Sequence, residues 1–379
     1  MLVMWSTMER RMEKIKLHDL GRVSSHMRND LDRAYQNTLD ESCYLRGSAV
    51  KEFEHKWAEY TGAEDCATMT SGTDALHTAA MITGVGPGDE VIMAAHGFIA
   101  TIEPFLHTGA TIKYVDSKIS DYCIDEDQIE QQITDKTKVI VWADINGQTP
   151  DIDMIMSVAK KHNLITVEDA APSAGASYKG RKVGTLADIT CFSFGPVKPL
   201  GAIGGAGGIT GSREVCDQAR EIRNHGRGKG TGRDGFVSLG WNRNIHTMQA
   251  AFLMAKLPYL DELNDMKRQH ALRYNEKLKG LVDHVPLENQ GRYHPFHLYS
   301  VLVKQRNTLK DRLGEQGIET LIHWQVGLHE YPFTTDATIP LPNTEKISKS
   351  TLSLPCSPFL TLSEQDRVIE QIANFYERS

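Results

Sequence analysis

Six cysteines in 379 residues, at positions 43, 66, 123, 191, 216 and 356, show neither clustering nor a CxxC spacing. They read as free thiols of a reducing compartment, not as a disulfide framework. No apolar run approaches the roughly 18 residues that cross a bilayer, and the opening MLVMWSTMERRMEKIK lacks the long apolar core of a signal peptide. Cytoplasm is the expected compartment, with no membrane partner. Positive charge is not in excess either: 42 Lys and Arg face 49 Asp and Glu, giving a net charge of −7. That balance argues against a general nucleic-acid binder. Internal repeats and low-complexity tracts are absent, which excludes solenoids and disordered tails. The glycine run after Lys198 is not spaced GxGxxG, and a GxxxxGK[ST] phosphate loop is absent.

What remains is an ordinary globular composition, 40% hydrophobic and 24% charged, in a chain long enough for two domains. Between about 47 and 250, short apolar runs alternate with amphipathic stretches. The runs are Glu90–Met93, Thr111–Val115, Lys138–Trp142, Leu164–Val167 and Ile189–Phe194; the stretches include Asp125–Gln132 and Asp151–Lys161. Such alternation predicts an α/β fold with a mostly parallel central sheet, whose ligands bind beyond the carboxyl ends of the strands. A long helix is predicted over Met248–Leu278, then strands over His297–Val303 and Glu319–Trp324 and helices over Thr308–Gln316 and Ser363–Tyr376. Ser363 with Asp366 reads as a capping-box variant. Val368, Ile369, Ile372 and Phe375 give the last helix one apolar face. The expected division is an N-terminal segment (1–20), a large α/β domain (21–255) and a smaller C-terminal α/β domain (256–379).

Three segments carry candidate chemistry. Thr70-Ser71-Gly72-Thr73-Asp74 is a small polar turn opening a helix, where free amides can hold a phosphate; it is also how many capped helices begin. The run Leu164–Val167 ends in Glu168 and Asp169, and an acid there can pair with a protonated pyridine nitrogen or simply close a turn. The segment from Cys191 through Ser193 and Lys198 to Gly208 sets one lysine between prolines, ahead of a glycine-rich turn. Burial depresses a lysine's pKa and frees the nucleophilic amine that Schiff-base chemistry needs.

The order SGTDAL, GQTPDID, VEDAA, FSFxxxKxLGA and GWN…MQAA resembles the nucleotide-sugar aminotransferases of the DegT/StrS family, which have the type I fold of pyridoxal-phosphate (PLP) enzymes. FEHKWAEYTGAE and LSLPCSPFLTLSEQ extend the likeness over nearly the whole chain. The resemblance implies Lys198 as the cofactor-binding and catalytic lysine and Asp169 as the partner of the pyridine nitrogen. Gly72, Thr73 and Ser193 would hold the phosphate and Phe98 would stack on the ring. Asn242 would reach the phosphate of a neighbouring subunit, implying a homodimer with shared sites. The implied reaction moves an amino group from glutamate or glutamine to a nucleotide-linked keto sugar, with KPLGAIGG favouring the 3-keto position.

Three departures bear on the substrate: Pro172 for a glutamine or histidine, Asp144 for a histidine, and Asn244 for an arginine, with Arg243 one position earlier. They keep open another PLP reaction on the same fold, such as sugar dehydration or an amino-acid rearrangement. Amination of a cyclitol or free sugar phosphate, and a non-catalytic regulatory role, also remain. Related dehydrases carry histidine in place of the lysine, so Lys198 favours amino transfer. The cationic loop Arg223–Arg233, with Arg223 and Arg227, is a candidate clamp for an anionic substrate or a solvated loop. His297, His323 and His329 fall in segments similar to substrate-side positions of the family. No ligand spacing supports a metal.

Overall fold

The computed structural model describes residues 14–335 and 337–377. Most of the N-terminal segment 1–20 set apart by sequence lies outside them, with Met1, Met4, Met8 and Met12. The large sheet comprises β1 (Asp65–Met69), β2 (Glu90–Ala94), β3 (Thr111–Val115), β4 (Thr137–Ala143), β5 (Ile165–Asp169), β6 (Ile189–Ser193) and β7 (Gly207–Gly211). Their order is β1-β7-β6-β5-β4-β2-β3. Five of the seven match the apolar runs. The run from β3 through β2, β4 and β5 to β6 is parallel, while β7 lies antiparallel to both β6 and β1. β7 has no apolar run to announce it, because its sequence is GGITG. A Cβ on Gly207 would meet the Ser71 carbonyl oxygen at 2.2 Å, so glycine is what lets this strand pass beneath the turn at Ser71.

Both faces of the sheet are covered. One apolar cluster includes Phe53, Trp57, Trp142, Ile155, Phe192 and Phe194; the other includes Met69, Leu76, Val91, Tyr114, Val141 and Ile209. Asp125–Gln132 forms two short 3-10 turns in place of a helix, whereas Asp151 does cap a helix, Ile152–His162. Four further helices matter to the site: α1 (Leu20–His26), α2 (Gly72–Thr83), α3 (Thr247–Lys256) and α4 (Leu260–Leu278). The predicted single helix over Met248–Leu278 is therefore two. Pro258 has no N–H for a continuous ladder, and the chain passes through a 3-10 turn at Leu257–Tyr259.

Beyond α4, a two-stranded antiparallel ladder, β8 (Tyr299–Leu302) with β9 (Thr351–Leu354), packs under helices Arg306–Glu315 and α5 (Leu362–Glu377). Its core includes Tyr274, Tyr299, Val301, Leu352, Val368 and Ile372. Glu319–Trp324 is not a strand; its backbone meets β9 through an isolated bridge from Leu321 to Ser353. The capping box of α5 sits two residues earlier than predicted. The Thr361 hydroxyl accepts from the Glu364 amide at 3.2 Å, and the Glu364 carboxylate accepts from the Thr361 amide at 2.7 Å. Ile15 joins this core, bonded to Gly317 and Glu319, and the Leu17 amide donates to the Glu319 carboxylate. Among the described residues no helix is long and apolar enough to cross a membrane.

Candidate active site

The carboxyl ends of β4, β5 and β6 open into a cavity of about 360 Å³, whose wall includes Gly72, Thr73, Phe98, Asp169, Ser193 and Lys198. Six of the residues singled out from sequence thus share one space. α2 begins there: Ser71 is its N-cap, and its hydroxyl accepts from the Asp74 amide at 3.0 Å, which leaves the first-turn amides of Gly72 and Thr73 for an anion. Gly72 packs so tightly on Ser193 that a Cβ would fall 2.6 Å from the Ser193 Cβ. The cradle for a phosphate is therefore a backbone surface with one hydroxyl beside it.

Asp169 ends β5 facing this cavity. Its Oδ2 accepts from the Thr101 hydroxyl at 2.6 Å and its Oδ1 from the Ala171 amide at 3.1 Å. Burial pushes its carboxyl above the usual range, while the Thr101 and Ala171 bonds and Lys198 pull it down. Burial also lowers the Lys198 ammonium, opposed by the attraction of Asp169. A lysine held away from water opposite an acid with two hydrogen bonds, beside a phosphate-sized cradle, fits PLP: the amine for its aldehyde, the acid for its ring nitrogen.

Strand alternation sends Glu168 the other way, into the core. It meets Asp144 there, and both are buried. Ser173 donates to Asp144 at 2.6 Å and Thr190 to Glu168 at 2.8 Å. Asp144 Oδ1, Glu168 Oε1 and Trp142 Nε1 have no partner of their own. Burial lifts the Glu168 carboxyl to about 7, and burial plus the Glu168 charge lifts Asp144 well above its usual value. The Asp144 amide donates to the Asp169 carbonyl at 3.1 Å, so this acid pair sits directly behind the cavity.

Among the wall residues that sequence reasoning missed are His18, Thr101, Asn146 and Trp324. Thr101 lies three residues after Phe98, in a 3-10 turn over Ile99–Thr101 that no periodicity signals. His18 stacks on His297 at 5.7 Å. Burial holds His18 down to about 3, with the charge of Lys267 adding to it; it holds His323 down to about 4 and His297 well below its usual value. The substrate side is thus lined by uncharged imidazoles. His323 Nδ1 is paired with the Ser353 hydroxyl at 2.8 Å.

Other sequence candidates lie elsewhere. Arg223 is buried against Glu54 and donates to the Thr68 carbonyl at 2.7 Å, so it ties α2's preceding strand to the helix Ser48–Thr61 instead of reaching a substrate. Arg227 lies over the Phe236 ring and donates to the Gly232 carbonyl within its own loop. His329 packs edge-on to Tyr114, outside the cavity wall. Asn242 is exposed, its side-chain oxygen accepting from Asn244. Arg243 pairs with Asp74 at 3.0 Å, on the first turn of α2 in its own chain. Pro172 does line the cavity. Among the described residues no three metal-ligating side chains gather.

The sequence profile of the DegT/DnrJ/EryC1/StrS aminotransferase family matches residues 25–373. The chain belongs to that family. This aminotransferase is 36% identical over 369 residues to a pleiotropic regulatory protein of Geobacillus stearothermophilus, covering 96% of this chain and 98% of that one. It is 35% identical to the dTDP-3-amino-3,6-dideoxy-alpha-D-galactopyranose transaminase of Aneurinibacillus thermoaerophilus, covering 94% and 98%. Its fold superposes on the crystal structure of S. venezuelae DesV in complex with a ketimine intermediate, with a TM-score of 0.91 and 32% identity over 97% of this chain and 99% of that one. The aminotransferase is PLP-dependent, as family members solved with the cofactor are.

Proposed function

We propose that this enzyme transfers an amino group from glutamate or glutamine to the keto group of a nucleotide-linked sugar, at its 3-position. The observation that carries the reading is the placement of Lys198 and Asp169 in one cavity with the Gly72–Thr73 amides and Ser193. The transaminase relative named for a 3-amino sugar supports the position. Bound there, PLP supplies an electron sink for the carbanion formed at the donor's α-carbon. The chain's own residues do the rest. The α2 amides and Ser193 would hold the phosphate, Asp169 would keep the ring nitrogen protonated, and Phe98 would pack against the ring. Lys198 Nζ, its ammonium form disfavoured by burial, takes the proton from the donor's α-carbon and later returns one to the product carbon. His18, His297 and His323 offer neutral donors and acceptors to sugar hydroxyls, and Trp324 offers an apolar face.

The enzyme acts in the cytoplasm as a homodimer whose sites are shared, with Asn242 serving the partner's phosphate. Its exposure beside exposed Val237, Leu239 and Trp241 supports that reading.

The test is a half-reaction. PLP-loaded enzyme mixed with glutamate or glutamine should lose its cofactor absorbance band as keto acid appears. Nucleotide-linked 3-keto sugars should then restore the band faster than cyclitol ketones or free sugar phosphates. No spectral change with either donor would sink the proposal.

A further inference from the structure

Beside the cofactor cavity lies a second one of about 250 Å³, bounded by α1, the loop from Pro196 to Ile203, α3, α4 and the turn at Ser357. The two cavities share His18, Val197 and Lys198 in their walls. Besides the shared Lys198, two lysines line the second. Lys267, only 6% exposed, donates to the His297 carbonyl at 3.1 Å, and Lys256 to the Gly201 carbonyl at 2.6 Å. Among the described residues neither has an acid as partner. Asp19 also lines the cavity, but its carboxylate is engaged by Lys16 at 3.5 Å and Arg22 at 3.2 Å. Two buried polar atoms on the same wall, Ser357 Oγ and Asn264 Oδ1, have no hydrogen-bond partner at all.

Buried ammonium groups are stable when paired with an anion, and buried hydroxyls when bonded. Here two cations and a hydroxyl line one cavity, and the acid beside them, Asp19, is already paired. We propose that this cavity is an oxyanion site for a carboxylate of the amino donor, bound by Lys267 and Lys256 with Ser357 as a neutral third donor. The inference rests on the aminotransferase reading above. Position favours the amino donor, because the cavity adjoins Lys198, whose amine the donor must displace. Size does too: the space admits a short acid chain and not a nucleotide sugar. Asn264 Oδ1, an acceptor, matches the lysine ammoniums and not the anion. Burial lowers Lys267 to about 8 and lowers Lys256 as well; a bound carboxylate would raise both.

Glutarate, the glutamate skeleton without its amine, is the probe. Calorimetric titration into the PLP-loaded enzyme should show one site per chain. Lys267→Met and Lys256→Met should each weaken it about ten-fold or more, the loss of one charge-assisted hydrogen bond. Lys267→Arg should retain it. The glutamate KM should rise in the Met variants by more than the ketone KM. If Lys267→Met fails to fold, Ser357→Ala should still weaken glutarate by about three-fold or more. Equal glutarate binding in wild type and variants overturns the site, as does no binding to wild type. Inorganic phosphate binding where glutarate does not would overturn the carboxylate assignment. Wild type that binds glutarate but shows no glutamate-driven spectral change would instead overturn the aminotransferase reading and leave the site standing.

Discussion

The Thr101 hydroxyl reaches Asp169 Oδ2 at 2.6 Å from a turn sixty-eight residues earlier in the chain. It is one of two bonds that oppose the upward pressure of burial on that carboxyl.

Asp169→Asn removes the charge that keeps a pyridine nitrogen protonated and should cut turnover far more than stability. Thr101→Val keeps the charge but drops one hydrogen bond to it, worth about 1.5–3 kcal/mol. PLP affinity, followed by fluorescence quenching, should fall about ten-fold or more. Unchanged affinity would show that Thr101 only fills space.

The buried pair Asp144 and Glu168 should make stability fall as pH rises. Both carboxyls have folded pKa values above their unfolded ones, so between about 4 and about 7 the native chain binds more protons than the unfolded chain. Stability is fully present below that window and is lost across it. Urea denaturation at pH 5 and pH 8 should show the decline, and Asp144→Asn, which removes one of the two carboxyls, should flatten it. A decline that survives in both Asp144→Asn and Glu168→Gln would place its origin elsewhere.

Arg223 and Arg227 should part company. Arg223→Met strips buried Glu54 of its closer cation and leaves it only Arg220 at 3.5 Å, which costs up to about 3–5 kcal/mol, while Arg227→Ala removes a partly exposed contact and should change the melting temperature little. Neither should alter the glutamate half-reaction in whatever fraction is folded. A selective rise in ketone KM for Arg223→Met, with normal stability, would restore it to the substrate.

Lys198→Ala mixed with Asn242→Asp should regain activity on subunit exchange if each cavity draws on two chains, since one site of the heterodimer then carries neither defect. Lys198→Ala alone should lose about 10² to 10⁴ in rate from the proton transfer itself. Persistent inactivity with exchange confirmed would show that Asn242 serves only its own chain.

What the sequence made legible follows from how each residue does its work. Lys198, Asp169, Gly72 and Ser193 act through local context, a strand end or a helix start, and local context is written in neighbouring residues. Thr101, Trp324 and His18 reach the cavity from irregular backbone, where nothing periodic marks them. Arg223 misled because a buried cation and a ligand-binding cation look alike until the partner is seen, here Glu54 from the helix Ser48–Thr61. β7 was hidden by its own glycines, which serve close approach in place of apolar burial.

Leu17 and Glu319 are joined across 302 residues, and His18 stands next to that clasp in the cavity wall. During synthesis, then, one side of the pocket leaves the ribosome long before the residues that face it exist. PLP can meet a half-built site on the nascent chain, with Lys198 already made, but a closed one only after the C-terminal unit has folded back onto the beginning. A truncation that spared every cofactor contact named above would still leave the pocket open on the side that His323 and Trp324 wall off.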